Sequence, residues 1–234
     1  TGSGALPHLR FAVIGSLAGT LVPPLVGALG DSLPIGQISV WRGHATTNEN
    51  ALIHRDVDML VTSDALYDTA GLERFSIFSE PYVVIAPSGT FERGAPETID
   101  ELAKRLPYIR YTRRTQMGWS IESQFRRMGV DVQGKLEFDS SEDVVTMVAS
   151  GGGWAVTVPS HVLHGLRHPK TLDIARFPGP EFRRAVNLVV RAAELGTIPA
   201  NVHRLCLDVL SRDVAPGIQR LIPWLGGGFA IASV

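Results

Sequence analysis

Three turns in the chain carry the residue types from which a small-molecule site can be built. Gly15-Ser16-Leu17 follows a short apolar run and opens a helical pattern. Free backbone N–H groups and the positive end of a helix dipole attract a carboxylate or phosphate to such a turn, and the Ser16 hydroxyl can donate or accept beside it. Equally, Ser16 can serve only to cap the helix. Tyr111-Thr-Arg-Arg-Thr-Gln-Met-Gly-Trp119 repeats the device with hydroxyls, two guanidinium groups and a flat aromatic. Arg113 and Arg114 are adjacent and cannot both point the same way, so one can grip a carboxylate while the other is solvated. Trp119 is either a packed helix residue or an apolar wall. Gly151-Gly-Gly153 before Trp154 lacks the G-x-G-x-x-G spacing of a dinucleotide site, and reads as a helix end that lets backbones approach closely.

Signatures of catalysis are scarce. Gly15-Ser-Leu-Ala-Gly19 is not the G-x-S-x-G elbow, and neither a P-loop nor H-E-x-x-H occurs. His161, His164 and His168 can share a helical face, but Gly165 and Pro169 interrupt it and no acidic residue lies among them. The expectation is therefore no enzyme, no metal and no cofactor. Cys206, the single cysteine, falls in an apolar helical stretch as a small packed hydrophobe and forbids an internal disulfide. Basic residues cluster between Lys104 and Arg127 without a helix-turn-helix, which fits a solvated face or an interface better than a nucleic-acid track.

The elements that must position these turns alternate. Leu9–Ile14 predicts a strand buried on both faces, and residues 16–28 a helix whose Pro23-Pro24 must lie near its first turn. Gln37–Arg42 predicts a second strand, Thr46–His54 a helix capped by Thr46 or Thr47, and Asp58–Thr62 a third strand. Strand, helix, strand, helix, strand implies parallel pairing. Residues 73–76 and 81–87 are strand-like, and the Ser/Gly/Pro-rich 88–96 is the clearest boundary. Beyond it the alternation restarts: helices over 99–106, 119–128 and 142–150, strands over 108–112, 135–138 and 154–158. Strands over 171–177 and 185–191 and a helix over 199–210 follow. The predicted fold class is α/β, with two Rossmann-like lobes joined by two crossover strands. Lobe I is residues 5–87 plus 190–234, lobe II is residues 88–189, and a cleft between them is the expected ligand site.

Composition bounds the partners. In 234 residues, 44% hydrophobic and 19% charged side chains exclude long disorder. A net charge of −1 supplies no global field toward nucleic acid or an anionic membrane. No apolar stretch is long enough to span a bilayer. The start at Thr1, without methionine, suggests a processed or excised piece.

Taken in order, Leu9-Arg-Phe-Ala-Val-Ile-Gly-Ser-Leu-Ala18, Leu21-Val-Pro-Pro-Leu25, Leu52–Val61, Leu72–Pro87 with Phe78-Ser-Glu-Pro81, and Val148-Ala-Ser-Gly-Gly-Gly-Trp-Ala-Val-Thr-Val-Pro159 make a specific pattern. It resembles the effector-binding domain of LysR-type transcriptional regulators, which share the type 2 periplasmic-binding-protein fold. The resemblance covers most of residues 9 to 212, and Ile222–Val234 fits it poorly. It implies a small anionic effector between the lobes. It places Ser16 and Leu17 in a first-lobe turn, His44 after the second strand, and Thr62 and Ser63 at the end of the third. Thr112, Met117 and Trp119, with Arg113 beside them, fall in the second-lobe turn, and Gly153 and Trp154 in the turn facing it. Histidine at position 44 departs from the usual hydroxyl and would make affinity depend on pH. The resemblance further implies a cytoplasmic homodimer paired through the first lobes, a tetramer in the full-length protein, and DNA contact through a winged helix-turn-helix absent from this chain. Contact with RNA polymerase is open to such a protein. The peroxide-sensing mode of some relatives needs a cysteine pair, which one cysteine cannot supply. The alternative on the same architecture is a periplasmic solute-binding protein of a transporter, its signal peptide removed.

Overall fold

Leu9–Ile14 forms β1, and five of its six side chains are buried, as a parallel strand covered on both faces requires. The computed structural model of the chain describes residues 6–43, 45–92, 94–166 and 171–233. The chain runs directly from β1 into α1 (Gly15–Ser32), whose Leu17, Leu21, Leu25 and Leu29 recur every fourth residue as one buried stripe. Pro23 and Pro24 lie in the third turn of α1, not its first. The helix starts earlier and runs further than expected, and the carbonyls of Gly19 and Thr20 lose their N–H partners. Gly19 and Pro23 are exposed, so water can serve that face.

β2 (Ile38–Gly43), α2 (Ala45–Ile53) and β3 (Met59–Thr62) follow. β1 pairs in parallel with both β2 and β3. After them come β4 (Leu72–Pro81), much longer than expected, then β5 (Val83–Pro87), α3 (Ile99–Arg105), β6 (Tyr108–Tyr111) and α4 (Gln116–Met128). The chain continues through β7 (Gly134–Phe138), α5 (Ser141–Ala149), β8 (Ala155–Thr157) and α6 (Pro159–Gly165). It closes with β9 (Leu172–Arg176), β10 (Arg183–Arg191), α7 (Ile198–Val209), a π-helical turn Leu210–Val214, α8 (Ala215–Leu221), a 3-10 segment Pro223–Gly228 and β11 (Ala230–Ile231).

These elements form two units. The first holds Thr1–Ser79, Ala185–Pro216 and Ala230–Val234, and the second Glu80–Arg184 and Gly217–Phe229. The divisions fall inside β4 and β10 rather than at 87/88 and 189/190. β5 belongs to the second unit, where it pairs antiparallel with β8 and β9. The expected linker 88–96 is part of that unit too: Phe91 N–H donates to Asp173 Oδ2 at 2.7 Å and Ser88 N–H to Thr171 O at 3.2 Å. Residues 222–233, unassigned from sequence, contribute the 3-10 segment to unit 2 and β11 to unit 1.

Unit 1 centres on a six-stranded sheet in the order β11-β4-β10-β3-β1-β2. Unit 2 has the β8-β5-β9 sheet and the parallel pair β6-β7, linked by a bridge between Tyr108 and Trp154. Its helices start on side-chain caps: Thr98 and Glu101 form a reciprocal capping box on α3, Thr115 caps α4 and Ser140 caps α5.

At the amino ends of β1 and β3, Asp58 ties the first unit together. Its carboxylate accepts from Arg10 N at 2.8 Å, Arg10 Nε at 3.1 Å and Arg10 Nη2 at 2.6 Å, with Arg191 Nη2 3.5 Å away. Arg191 also donates to the carbonyls of Leu52 and Val57, both at 2.7 Å. Burial alone would raise the Asp58 carboxyl, but the Arg10 bonds and the Arg191 charge outweigh it and hold the group below its usual range. A depressed carboxyl contributes stability above its unfolded value, and that contribution disappears as pH falls through the folded value. Asp58→Asn is expected to lower unfolding free energy by about 2–3 kcal/mol at pH 7. Denaturant melts at pH 7 and pH 3 test this, because the difference between wild type and variant must shrink at the acid end.

Candidate functional site

In unit 1 the candidate turn is built by parallel pairing. β1 and β2 end side by side, with Ile14 opposite Gly43, so the start of α1 and the residues ending β2 meet at the carboxyl edge of the sheet. Ile14 occupies the cap position of α1 and supplies no side-chain bond to the first N–H groups. The dipole and the N–H groups at the start of this helix suit a negatively charged group. Arg42 closes over this turn, since a Cβ on Gly15 would lie 3.5 Å from Arg42 Nε. The Arg42 side chain is exposed and forms no ion pair among the described residues.

Leu17 is 1% exposed and faces the core, so only its backbone N–H faces this turn. Ser16 is half-buried. Thr62 is fully buried, and its Oγ1 accepts from Asp64 N–H at 3.0 Å, which shapes the bend after β3. Ser63 is half-buried on the same bend. His44 lies outside the described residues. Arg42, two positions before it, was missed in the sequence; the signal available was its place at the end of a strand parallel to β1.

In unit 2 the turn after β6 is tightly wound. Thr112 O accepts from Thr115 N–H at 3.0 Å and Thr115 Oγ1 at 2.8 Å, and Thr115 Oγ1 accepts from Gly118 N–H at 3.1 Å. A Cβ at position 118 would fall 2.1 Å from Thr112 O, so only glycine lets α4 start so close to the turn. Met117 is buried in the unit core. Arg113 and Trp119 are both exposed and line one cavity of about 240 Å³ together with Arg110, Glu122 and Arg126. Trp154, expected as a ligand contact, is fully buried, with its ring 4.7 Å from that of Tyr108. It packs the core because its backbone bridges β6, Trp154 N–H donating to Pro107 O at 2.9 Å and Ile109 N–H to Trp154 O at 2.8 Å. Gly153, at φ +148°, permits that bridge, since a Cβ there would be 2.1 Å from Pro107 O.

One buried polar network went unread in the sequence. Glu80 is 0% exposed, and its carboxylate accepts from Ser160 N–H at 2.9 Å and Ser160 Oγ at 2.7 Å. Arg184 Nη1 lies 3.6 Å from Glu80 Oε1 and also donates to His161 Nε2. A guanidinium only donates, so His161 Nε2 must be bare and the ring proton must sit on Nδ1. Nδ1 then donates to Tyr111 Oη at 3.2 Å, and Tyr111 Oη donates to Thr157 Oγ1 at 2.8 Å. Burial, with the Arg184 charge, pushes the His161 imidazolium well below the ordinary range. Burial also raises the Glu80 carboxyl, while Arg184 and Ser160 pull it back.

His161 and His164 both lie on α6, and His168 falls outside the described residues. Among the described residues no group of His, Cys, Asp and Glu is placed to hold a metal. Cys206 is fully buried and its thiol is pushed up to about 12 by burial, so it is a packed side chain and not a reactive thiolate.

The family model of the LysR substrate binding domain matches residues 2–209. No curated protein matches the chain by sequence. Among solved structures, an H2O2-bound OxyR mutant of Corynebacterium glutamicum superposes with a TM-score of 0.75 at 15% identity, over 94% of this chain and 70% of that one. The CcmR regulatory domain of Synechocystis PCC6803 in complex with 2-PG gives 0.72 at 21% identity, over 88% and 98%. The effector binding domain of QuiR in complex with shikimate gives 0.70 at 14% identity, over 87% and 96%.

The neutral imidazole makes a prediction of its own. Because its folded value lies below the unfolded value of about 6.5, the unfolded chain takes up the proton first as pH falls. The contribution is thus intact above about pH 6.5 and lost on acidification below it. Long-range ¹H–¹⁵N spectra of the folded chain should show His161 neutral, with the proton on Nδ1, at pH 5.5. An imidazolium at that pH would overturn the proton order assigned to the network.

Proposed function

The chain belongs to the LysR substrate-binding domain family, and on that premise we propose that it is the effector-sensing domain of a bacterial transcription regulator, recognising a small anion at the carboxyl ends of the unit 1 strands. The observation that carries the reading is the start of α1, where helix N–H groups without a side-chain cap meet the Arg42 guanidinium. A carboxylate or phosphate there gains charge-assisted bonds from Arg42 and the helix dipole, and Ser16 adds a hydroxyl beside it. Thr62 supports the site from beneath as the residue that fixes the bend after β3. No step of this reading requires a covalent reaction, a metal or a cofactor.

Such a sensor acts only through differential affinity: the effector must favour one conformation over another, or nothing is transmitted. The proposed readout is the geometry of a homodimer, passed to a DNA-binding domain outside this chain. Pairing through the first units is supported by β2, an edge strand that leaves Val40 and Trp41 exposed at 36% and 44%. A cytoplasmic location belongs to the same reading. Among the described residues no helix is long and apolar enough to cross a membrane.

Thermal melts against 2-PG, shikimate, small carboxylates, amino acids and sugar phosphates test the anion site. An effector at about 100 times its Kd adds roughly 2.7 kcal/mol, which for a chain of this size raises the midpoint by roughly 5–10 °C. Arg42→Gln is expected to weaken that effector at least about tenfold, and Ser16→Ala less. A panel without anionic hits, or a hit indifferent to Arg42→Gln, would overturn the assignment. Separately, Trp41→Glu should shift sedimentation from dimer to monomer; a variant still dimeric rules out pairing along β2.

A further inference from the structure

On the flank of α4, unit 2 has a cavity of about 240 Å³ that the proposed effector site does not use. Phe125, Val130 and Val132 give it apolar walls, and Trp119, 57% exposed, presents a flat ring at its edge. An indole left so far in water on a regular helix is a surface that a planar apolar body would cover.

The charges around it are unequally matched. Arg110, Arg113 and Arg126 line the cavity against Glu122 and Asp131, a surplus of one positive charge. Arg113 Nη2 pairs with Glu122 Oε2 at 2.9 Å, and Arg110 Nη2 pairs with Glu137 Oε2 at 2.7 Å. Arg126 donates only to Ser123 Oγ, at 3.2 Å, and meets no carboxylate among the described residues. The Nε–H of Arg110 is buried and has no hydrogen-bond partner. The rest of that guanidinium faces Glu137 and, at 3.9 Å, Glu122, so this one buried N–H is the donor Arg110 still has to give to an acceptor from outside the chain. The sequence makes room for it: a Cβ on Gly134 would lie 2.2 Å from Arg110 Cδ, so the bare glycine lets the arginine stem cross the start of β7.

We propose that this cavity is a second ligand site, specific for a small planar monocarboxylate. The carboxylate takes Arg126 and the orphaned Arg110 Nε–H, and the flat body covers Trp119 and the valine wall. Glu122 and Asp131 repel a second negative charge, so a monoanion is preferred over a dianion. The site stands on residues of unit 2 alone and does not depend on the Arg42 reading.

The test is a ¹⁵N-amide titration of the chain with trans-cinnamate, its neutral amide cinnamamide, and the dianion 4-carboxycinnamate. Cinnamate is expected to shift amides between Arg110 and Gly134, with the amide and the dianion each binding roughly tenfold more weakly. Trp119→Ala and Arg126→Gln remove exposed side chains, and each should cost a similar factor while the amides of α5 and β8 keep their positions, which certifies the fold. Arg42→Gln should leave these shifts unchanged. An absence of shifts at millimolar cinnamate, shifts that survive both unit 2 variants, or shifts abolished only by Arg42→Gln would each overturn the proposal; the last would place cinnamate at the start of α1 instead.

Discussion

A carboxylate fully removed from water sets the terms for the second unit. Glu80 sits on β4 where the chain enters that unit, and Arg184 on β10 where it leaves. Dehydrating a carboxylate costs several kcal/mol, so it survives only with its oxygens satisfied. Ser160 provides an N–H and a hydroxyl from the first turn of α6, and Arg184 provides charge. The guanidinium in turn fixes the tautomer of His161, which orients Tyr111, which binds Thr157. Because each member has its partner chosen by the one before, the entry strand, the exit strand, α6 and the end of β6 hold one arrangement. Removing a single partner would strand a buried charge, whereas a hydrophobic core would tolerate the loss of a methyl far better.

Tyr111 carries this constraint to the surface. It is the last residue of β6, and the turn that follows begins at Thr112. With Tyr111 pinned from within by His161 and Thr157, Thr112 anchors the turn through Thr115, and Gly118 lets α4 begin against it. The exposed Arg113 and Trp119 then project from a rigid base. Unit 1 reaches a similar end by different means. There the buried β1 and the leucine stripe of α1 hold the turn, and the Asp58 cluster locks the opposite ends of the same strands. In unit 1 the polar lock lies at the strand ends opposite the turn offered to a ligand, whereas in unit 2 the lock runs directly into that turn through Tyr111.

How much of this the sequence discloses depends on the range of the interaction. β1, α1 and the parallel pairing were legible because an apolar run and a four-residue leucine spacing are local signals. The helices over 119–128 and 142–150 were legible too, but their capping residues Thr115 and Ser140 emerge only from the structure. Pro23-Pro24 misled, because a proline rule that favours first turns says nothing about a long helix whose exposed face water can serve. Residues 88–96 read as a linker from composition, yet Asp173 and Thr171, far along the chain, fasten them to β9. Trp154, which the resemblance places in the turn facing the second-lobe turn, keeps its ring in the core because its backbone bridges β6. Glu80, Ser160 and Arg184 are unremarkable in their own neighbourhoods; only the fold makes them a cluster.

The two positively charged turns also differ in what a ligand must displace. Arg113 already shares Glu122 with Arg110, so an anion approaching it competes with a carboxylate held on the same helix. Arg42 meets no such competitor among the described residues, and the uncapped start of α1 adds dipole and N–H donors at the same place. A net charge of −1 over 234 residues gives no long-range pull, so the proposed preference for an anion rests on this local imbalance. The family frame says that such a domain senses a small molecule. Within this chain, the Arg42 guanidinium at the start of α1, with no carboxylate partner among the described residues, is the ground for proposing an anion as that molecule.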